Sequence, residues 1–167
     1  MTKLANHFSL VYLGLFLDTD DVSYIKLTRR GLNMNAYYRS DGGYCLSGFK
    51  NRKKIGNCVF RAIAIALRKP YIDVWNELMD LAKSIGELPN TERCYSKYLA
   101  SYGWFKQKPQ RTKNGRLRRL KYFECKNSTV IVHVRKHLVC LKESKILDVW
   151  NPSRYRAGSY WIKNENK

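Results

Sequence analysis

The chain has 167 residues, with 32 Lys or Arg against 13 Asp or Glu, which gives a formal net charge of +19 at pH 7. Its length suits one domain with a short extension, and a 44% hydrophobic share excludes a wholly disordered chain. So positive a charge attracts nucleic acid, an anionic membrane or an acidic protein, but it does not determine the fold.

The cysteines argue against a small secreted disulfide scaffold. Their number is odd and their spacing is wide: Cys45, Cys58, Cys94, Cys125 and Cys140. We therefore expect reduced thiols and a cytoplasmic protein. The apolar run at 8–17 is shorter than the roughly 20 residues that cross a bilayer, and it lacks the flanks of a secretion signal. The sequence thus predicts no membrane contact and a buried strand at 8–17.

Residues 1–48 are predicted to form a β-rich N-terminal extension, and residues 49–167 the main domain. Strands are expected at 8–17, 22–27 and 33–38, because apolar or alternating side chains there are bounded by turn residues such as Asp41, Gly42 and Gly43.

A buried helix is predicted to open at Cys58. Gly56 and Asn57 are turn and N-cap residues, and apolar side chains follow at the spacing of one helical face, at 59, 62, 63, 66 and 67. A thiol at a helix start lies near unpaired N–H groups and the positive end of the helix dipole. Both features favour the thiolate, so Cys58 is a candidate nucleophile, although a small buried hydrophobe is the plainer interpretation.

Two further helices are predicted downstream. One covers 71–85, with an apolar stripe that ends at Gly86, and the next runs from 91 or 92 to 102 and is closed by Gly103. Cys94 in the latter is expected to belong to the core.

A basic loop is predicted after these helices. It holds eight cations and no acid within sixteen residues: Lys106, Lys108, Arg111, Lys113, Arg116, Arg118, Arg119 and Lys121. Such a loop suits binding to nucleic acid or an acidic partner, although a solvated loop that merely keeps the protein soluble has the same composition.

The C-terminal third is predicted to be β-structure. Strands are expected at 129–134, 137–141, 146–151 and 160–162. If Glu143 and Ser144 form a two-residue turn, position 137 lies opposite 150, and Asp148 becomes a diagonal neighbour of His137. A register shifted by one residue would place Asn151 opposite His137 instead.

Either register gives His137 an orienting partner. The sequence therefore predicts a triad in which Cys58 is the nucleophile, His137 the general base and acid, and Asp148 the orienting group, with Asn151 as the alternative third member. A zinc site built from His133, His137 and Cys140 is disfavoured, because residues four apart in a strand lie about 13 Å from each other. No metal or other cofactor is expected.

Several motifs follow one another in a recognisable order. They are Gly56-Asn57-Cys58-Val59-Phe60-Arg61-Ala62-Ile63-Ala64, Lys69-Pro70-Tyr71, Tyr98-Leu99 with Gly103-Trp104, and His137-Leu138-Val139 with Asp148-Val149-Trp150-Asn151. Over about residues 49–162 this order resembles the papain-like cysteine proteases, and more narrowly the small papain-like domains of bacteriophages and their hosts. The resemblance implies an α+β fold in which N-terminal helices, the first carrying Cys58, pack on a C-terminal antiparallel sheet.

The resemblance also bears on individual residues. Asp148-x-Trp150 is similar to the Asn-x-Trp of the papain group, whereas Asn151-Pro152 resembles the Asp-Pro of the bacteriocin-processing branch. Papain-like enzymes carry a Gln before the cysteine that helps to bind the oxyanion. This chain has no Gln there, so Asn51 or Asn57 is the candidate substitute beside the Cys58 backbone N–H.

The expected function is that of a cysteine hydrolase that cleaves a peptide or isopeptide bond. Amidases and transglutaminases use the same triad, so the sequence does not separate their chemistry from proteolysis. The protein is expected to be located in the cytoplasm, which is the cytoplasm of the host cell if a phage encodes it. The alternative is a non-enzymatic host-takeover or anti-defence protein that binds nucleic acid or a host complex through its basic surface. The sequence does not predict the oligomeric state.

Overall fold

A computed structural model describes residues 34–49, 56–125 and 128–164. These residues form an α+β fold with three α-helices and one six-stranded sheet. The helices are α1 Cys58–Leu67, α2 Tyr71–Ile85 and α3 Glu92–Ser101, and the strands are β1 Ala36–Arg39, β2 Trp104–Gln107, β3 Thr129–Val134, β4 His137–Lys142, β5 Lys145–Asp148 and β6 Tyr160–Lys163. The strands predicted at 8–17 and 22–27 lie outside the described residues.

The sheet has the order β1-β5-β4-β3-β6-β2. All neighbouring pairs are antiparallel except β1 and β5, which are parallel. The expectation of a C-terminal antiparallel sheet is therefore correct only for the pairs that involve β2 to β6. β1 comes from the segment assigned to an N-terminal extension, yet it extends the same sheet.

Apolar side chains cover both faces of the sheet. Successive side chains of a strand point to opposite faces, so a strand with consecutive apolar residues contributes to both. On one face the helices pack against Leu138, Cys140 and Trp161. On the other face, the segment around Leu120 and Phe123 joins the side chains of β3, β4 and β5 in a second cluster. The sheet is thus a buried middle layer, with helices on one side and ordered loops on the other.

The helix boundaries follow local sequence signals. α1 begins at Cys58, and α2 has the predicted bounds and ends at Gly86, whose φ of 66° lies in the left-handed region that favours glycine. α3 is capped by the side chain of Thr91, which accepts a hydrogen bond from the Cys94 N–H at 3.3 Å. Cys94 is fully buried, as expected of a core residue.

The β4–β5 hairpin has the two-residue turn that the sequence predicts. Glu143 and Ser144 both have positive φ, 49° and 64°, as a type I′ turn requires. Lys142 then pairs with Lys145 and Cys140 with Leu147. Strand β5 ends at Asp148, however, so the predicted continuation to residue 151 is wrong.

The predicted basic loop contains regular structure at both ends. Lys106 lies in β2, and Lys121 lies in a 3₁₀ helix at Leu120–Tyr122. Between them, an isolated β-bridge joins Arg111 to Leu117. We call the residues 110–119 the basic hairpin.

Within the described ranges, no helix combines the length and the apolar character needed to cross a membrane.

Candidate active site

Cys58 is the first residue of α1 and is half-buried. Burial opposes ionisation of its thiol, but hydrogen bonds with the His137 side chain and with the Leu138 backbone act in the other direction. The positive charges of His137 and Arg61 add to these bonds, and the net result is a Cys58 pKa below its ordinary value. The thiolate is therefore favoured at this position.

His137 opens β4 and is hydrogen-bonded through Nε2 to Oδ2 of Asp148, the last residue of β5. The Asp148 side chain is only 4% exposed, and its Oδ1 accepts a hydrogen bond from the Val149 N–H at 2.7 Å. The β4–β5 register makes the two residues diagonal neighbours. This is the arrangement predicted from the two-residue turn.

The surroundings of His137 favour its charged form. Burial alone would lower the pKa of His137, but the hydrogen bonds and negative charges of Asp148 and Cys58 raise it to about 9. Since Nε2 faces Asp148, Nδ1 is the ring nitrogen left for the Cys58 thiol. A lowered pKa of the thiol and a raised pKa of the imidazole together describe a thiolate–imidazolium pair.

Strand β1 positions the backbone of Asp148. The carbonyl oxygen of Asp148 accepts hydrogen bonds from the Ser40 N–H at 2.8 Å and from the Tyr37 hydroxyl at 3.2 Å. Sequence reasoning missed this role, because the contacts join residues more than 100 positions apart. The N-terminal segment thus contributes to the support of the site.

Trp150 covers one side of the His137 ring. The two ring centroids are 5.1 Å apart, and Trp150 also makes an edge-to-face contact with Tyr155 at 5.3 Å. Trp150 itself remains partly exposed. It therefore forms a rim between the imidazole and solvent.

The remaining candidates lie in other environments. Asn151 is exposed, and its side-chain oxygen accepts a hydrogen bond from the Ser153 N–H at 3.0 Å, not from His137. Asn57 is buried, and its Oδ1 accepts a hydrogen bond from Arg61. Asn51 lies outside the described residues.

Arg61 is a site residue that sequence reasoning missed. Its Nη2 lies 3.5 Å from Oδ1 of Asp148. One signal was present in the sequence: Arg61 is the only charged residue of α1. A charge in an otherwise apolar, buried helix normally has a partner elsewhere in the fold.

The eight predicted cations divide into two groups. Four make internal contacts: Lys106 with Glu92, Arg111 with the Gly115 carbonyl, Arg118 with Glu124, and Lys121 with the Tyr122 ring. Within the described ranges, the side chains of the others form no ion pair, hydrogen bond or cation–π contact: Lys108, Lys113, Arg116 and Arg119. All of this second group are exposed.

In the part of the chain that the structure describes, no group of three or more His, Cys, Asp or Glu side chains is arranged to hold a metal ion. The same part contains no disulfide. The arrangement that stands out chemically is therefore the Cys58–His137–Asp148 constellation.

Comparisons with protein-family models, with curated proteins and with solved structures found no match to this chain.

Proposed function

We propose that this protein is a papain-like cysteine hydrolase that cleaves a peptide or isopeptide bond. The observation that carries the proposal is the position of His137, which is hydrogen-bonded to the buried Asp148 on one side and to the Cys58 thiol on the other. A nucleophile, an acid–base group and an orienting carboxylate in this order are what acyl transfer to a thiol requires. The papain-like assignment and the relation to phage-encoded domains rest on the order of the sequence motifs.

The geometry supports a two-step mechanism. The Cys58 thiolate attacks the substrate carbonyl carbon, and His137 donates its proton to the leaving amine as the C–N bond breaks, which leaves a thioester on Cys58. His137, now neutral, takes a proton from water as the oxygen of that water adds to the thioester carbonyl. The C–S bond then breaks, which releases the acid and restores the Cys58 thiolate beside the protonated His137. Throughout, Asp148 holds the imidazole ring in the orientation that both proton transfers need.

The backbone N–H of Cys58 is a donor for the oxyanion. It belongs to the first residue of α1, and the N–H groups of a first helical turn have no partner within the helix. These donors also lie at the positive end of the helix dipole, where negative charge on the carbonyl oxygen is stabilised.

The same steps serve an amidase, or a transglutaminase if an amine replaces the water. We place the activity in the cytoplasm, that of the host cell if a phage encodes the protein, because thiolate chemistry needs a reduced cysteine.

The test is a search for cleavage in a library of peptides derived from a cell lysate, read by mass spectrometry as new amino termini. We expect new termini with the wild-type protein and with Cys45→Ala, since Cys45 lies outside the triad, and none with Cys58→Ala. Cleavage that persists in Cys58→Ala at the wild-type rate would overturn the proposal.

The basic hairpin favours a second candidate, a non-enzymatic function in which the protein binds nucleic acid or an acidic host complex. Lys113, Arg116 and Arg119 are exposed on this hairpin. Its backbone is attached to the segment that follows the site, through hydrogen bonds from Leu120 N–H to the Tyr155 carbonyl and from Ala157 N–H to the Arg118 carbonyl, both 2.8 Å. The cations are therefore presented on an anchored loop.

This candidate is tested with a labelled single-stranded oligonucleotide and with polyglutamate, measured by fluorescence anisotropy at rising salt. The triple variant Lys113→Glu, Arg116→Glu, Arg119→Glu should lose binding. A matched control, Lys83→Glu, Lys97→Glu, Lys163→Glu, changes the net charge equally at exposed positions of α2, α3 and β6. Equal binding losses in both variants would mean that only overall charge matters, which argues against a specific basic site.

A further inference from the structure

Arg61 lies one turn after Cys58, on the helix that carries the nucleophile. Its side chain is 12% exposed, so most of the guanidinium group is removed from water. Burying a charge is costly unless it is paired and hydrogen-bonded. The contacts of Arg61 therefore indicate what the charge does in this position.

The guanidinium group connects two sides of the site. Nη1 donates a hydrogen bond to Oδ1 of Asn57, the residue before the nucleophile, and Nη2 lies 3.5 Å from Oδ1 of Asp148. Nε is buried and makes no hydrogen bond within the described residues. The buried guanidinium group of Arg61 thus contacts Asp148 of the triad and Asn57 beside the nucleophile, although one of its own donors remains unsatisfied.

Asp148 lies against two basic side chains, those of His137 and Arg61. In the proposed mechanism His137 alternates between its charged and neutral forms, so it is not a constant partner for a carboxylate that is 4% exposed. A guanidinium group stays charged throughout. Arg61 and the Val149 N–H share Oδ1, which leaves Oδ2 aimed at Nε2 of His137.

We propose that Arg61 is a positioning residue of this site, which ties the start of α1 to Asp148 and keeps that carboxylate directed at His137 while His137 exchanges its proton. The inference rests on the proposed function, because it assigns Arg61 a role in the same triad. Arg61 acts through Asp148 and Asn57, and its charge also favours the Cys58 thiolate directly.

The other titratable groups around the pair do not replace this cation. Arg39 of β1 is the register partner of Asp148, but it is exposed and forms no ion pair among the described residues. Tyr71 of α2 has its pKa raised to about 12, chiefly by burial, and burial also raises the pKa of Tyr95 of α3, so both stay neutral near pH 7. Burial lowers the pKa of His133 on β3, which favours its neutral form. Arg61 and His137 are the two positive charges that favour the Cys58 thiolate.

The experiment compares the pH dependence of Cys58 alkylation by iodoacetamide in the wild type, Arg61→Gln and Arg61→Lys, with N-acetylcysteine in the same tube as the reference thiol. Arg93→Gln is the control, since Arg93 is 78% exposed on α3. Circular dichroism confirms that each variant is folded.

In Arg61→Gln we expect the midpoint of the Cys58 profile to rise by about one pH unit, which is about tenfold slower labelling below the midpoint. Arg61→Lys should lie between Arg61→Gln and the wild type, because an ammonium group keeps the charge but not the forked geometry. Arg93→Gln should match the wild type. This pattern would support a positioning role, because a merely structural residue would not shift the profile of a folded variant. A direct charge effect alone would leave Arg61→Lys at the wild-type profile.

A folded Arg61→Gln with the wild-type profile would overturn the inference and leave the proposed function standing. If Arg61→Gln does not fold, an Arg61→Lys profile identical to the wild type overturns it. A wild-type Cys58 profile equal to that of N-acetylcysteine would overturn the proposed function, and the inference with it.

Discussion

His137 and Asp148 lie diagonally across the ladder between β4 and β5, and a hydrogen bond joins Nε2 of the first to Oδ2 of the second. The position of each residue at the end of its strand matters, because the site then lies where the sheet ends and α1 begins. Every later step of the proposed chemistry depends on this pair.

The first prediction separates the two candidates for the third member of the triad. Asp148→Asn removes the negative charge that helps to hold the pKa of His137 at about 9, so the imidazolium and the Cys58 thiolate both become less favoured. We expect Cys58 alkylation at pH 7 to slow by about tenfold, equivalent to one pKa unit. Asn151→Ala should have no effect, since its side chain contacts Ser153. A larger effect at Asn151 than at Asp148 would reverse the assignment.

The second prediction concerns the pH dependence of hydrolysis. The thiolate forms as the pH rises through the lowered pKa of Cys58, and the imidazolium persists until the pH reaches about 9. Both charges are needed for attack and for protonation of the leaving amine. Hydrolysis should therefore be constant between these limits and fall above about pH 9, whereas Cys58 alkylation should not fall there. Parallel losses of both would contradict this role of His137.

The third prediction concerns the turn that sets the register of the site. Glu143 and Ser144 adopt positive φ angles, which cost a residue with a side chain about 1–2 kcal/mol each. The replacement Glu143→Asn with Ser144→Gly supplies residues suited to a type I′ turn, and we expect the free energy of unfolding to rise by about 1 kcal/mol. Urea denaturation measures it.

Lys136→Gly is the control for this turn, because Lys136 lies in the neighbouring β3–β4 turn and, unlike Arg135, does not have a positive φ. There glycine gains nothing in the native state and adds freedom to the unfolded chain, so stability should fall by roughly 0.5–1 kcal/mol. A lower free energy of unfolding in the Glu143→Asn, Ser144→Gly variant would contradict the prediction that the positive φ angles of this turn lower the stability of the wild type.

The structure explains why the register of the hairpin was predictable and the pairing of β1 was not, although a strand was expected at 33–38. The β4–β5 register depends on two adjacent residues and on local alternation, and the bounds of α2 depend on a stripe of apolar side chains that ends at Gly86. The pairing of β1 with β5 joins residues 109 positions apart, from Ala36 to Lys145. No local pattern specifies such a pairing, because it is selected by the packing of the whole sheet.

The same reasoning applies within the site. Cys58 and His137 were found because the local sequence predicts the helix start and the strand start at which they lie. Asp148 was found through the two-residue turn at Glu143 and Ser144, which sets the register. The contact between Arg61 and Asp148 joins two elements 87 positions apart. The sequence indicated only that Arg61 is a single charged residue in an otherwise apolar helix. That pattern predicts a partner for the charge but does not identify Asp148 as that partner.

The fourth prediction tests the close packing of the turn at Gly42 against α1. Gly42 has a φ of +65°, and a Cβ there would lie 2.8 Å from the backbone oxygen of Arg61. Gly42→Ala should cost about 2–4 kcal/mol, from the left-handed backbone and the collision with α1 together. Gly48→Ala is the matched control, because Gly48 also has a positive φ, +77°, but an added Cβ there meets nothing within 4 Å. It should cost only about 1–2 kcal/mol.

Urea denaturation of both variants measures the difference. Equal losses would show that the turn can move away from α1 without cost, which would contradict the packing described here.

The most direct test of the account is the pH dependence of iodoacetamide alkylation at every cysteine, read by mass spectrometry in the wild type and in His137→Ala. We expect Cys58 in the wild type to be labelled rapidly well below pH 8.5, since the ordinary pKa of a thiol is about 8.5, and this advantage to disappear in His137→Ala. Slow labelling of Cys58, indistinguishable from that of the exposed Cys45 and unchanged in His137→Ala, would contradict the existence of a working thiolate–imidazolium pair.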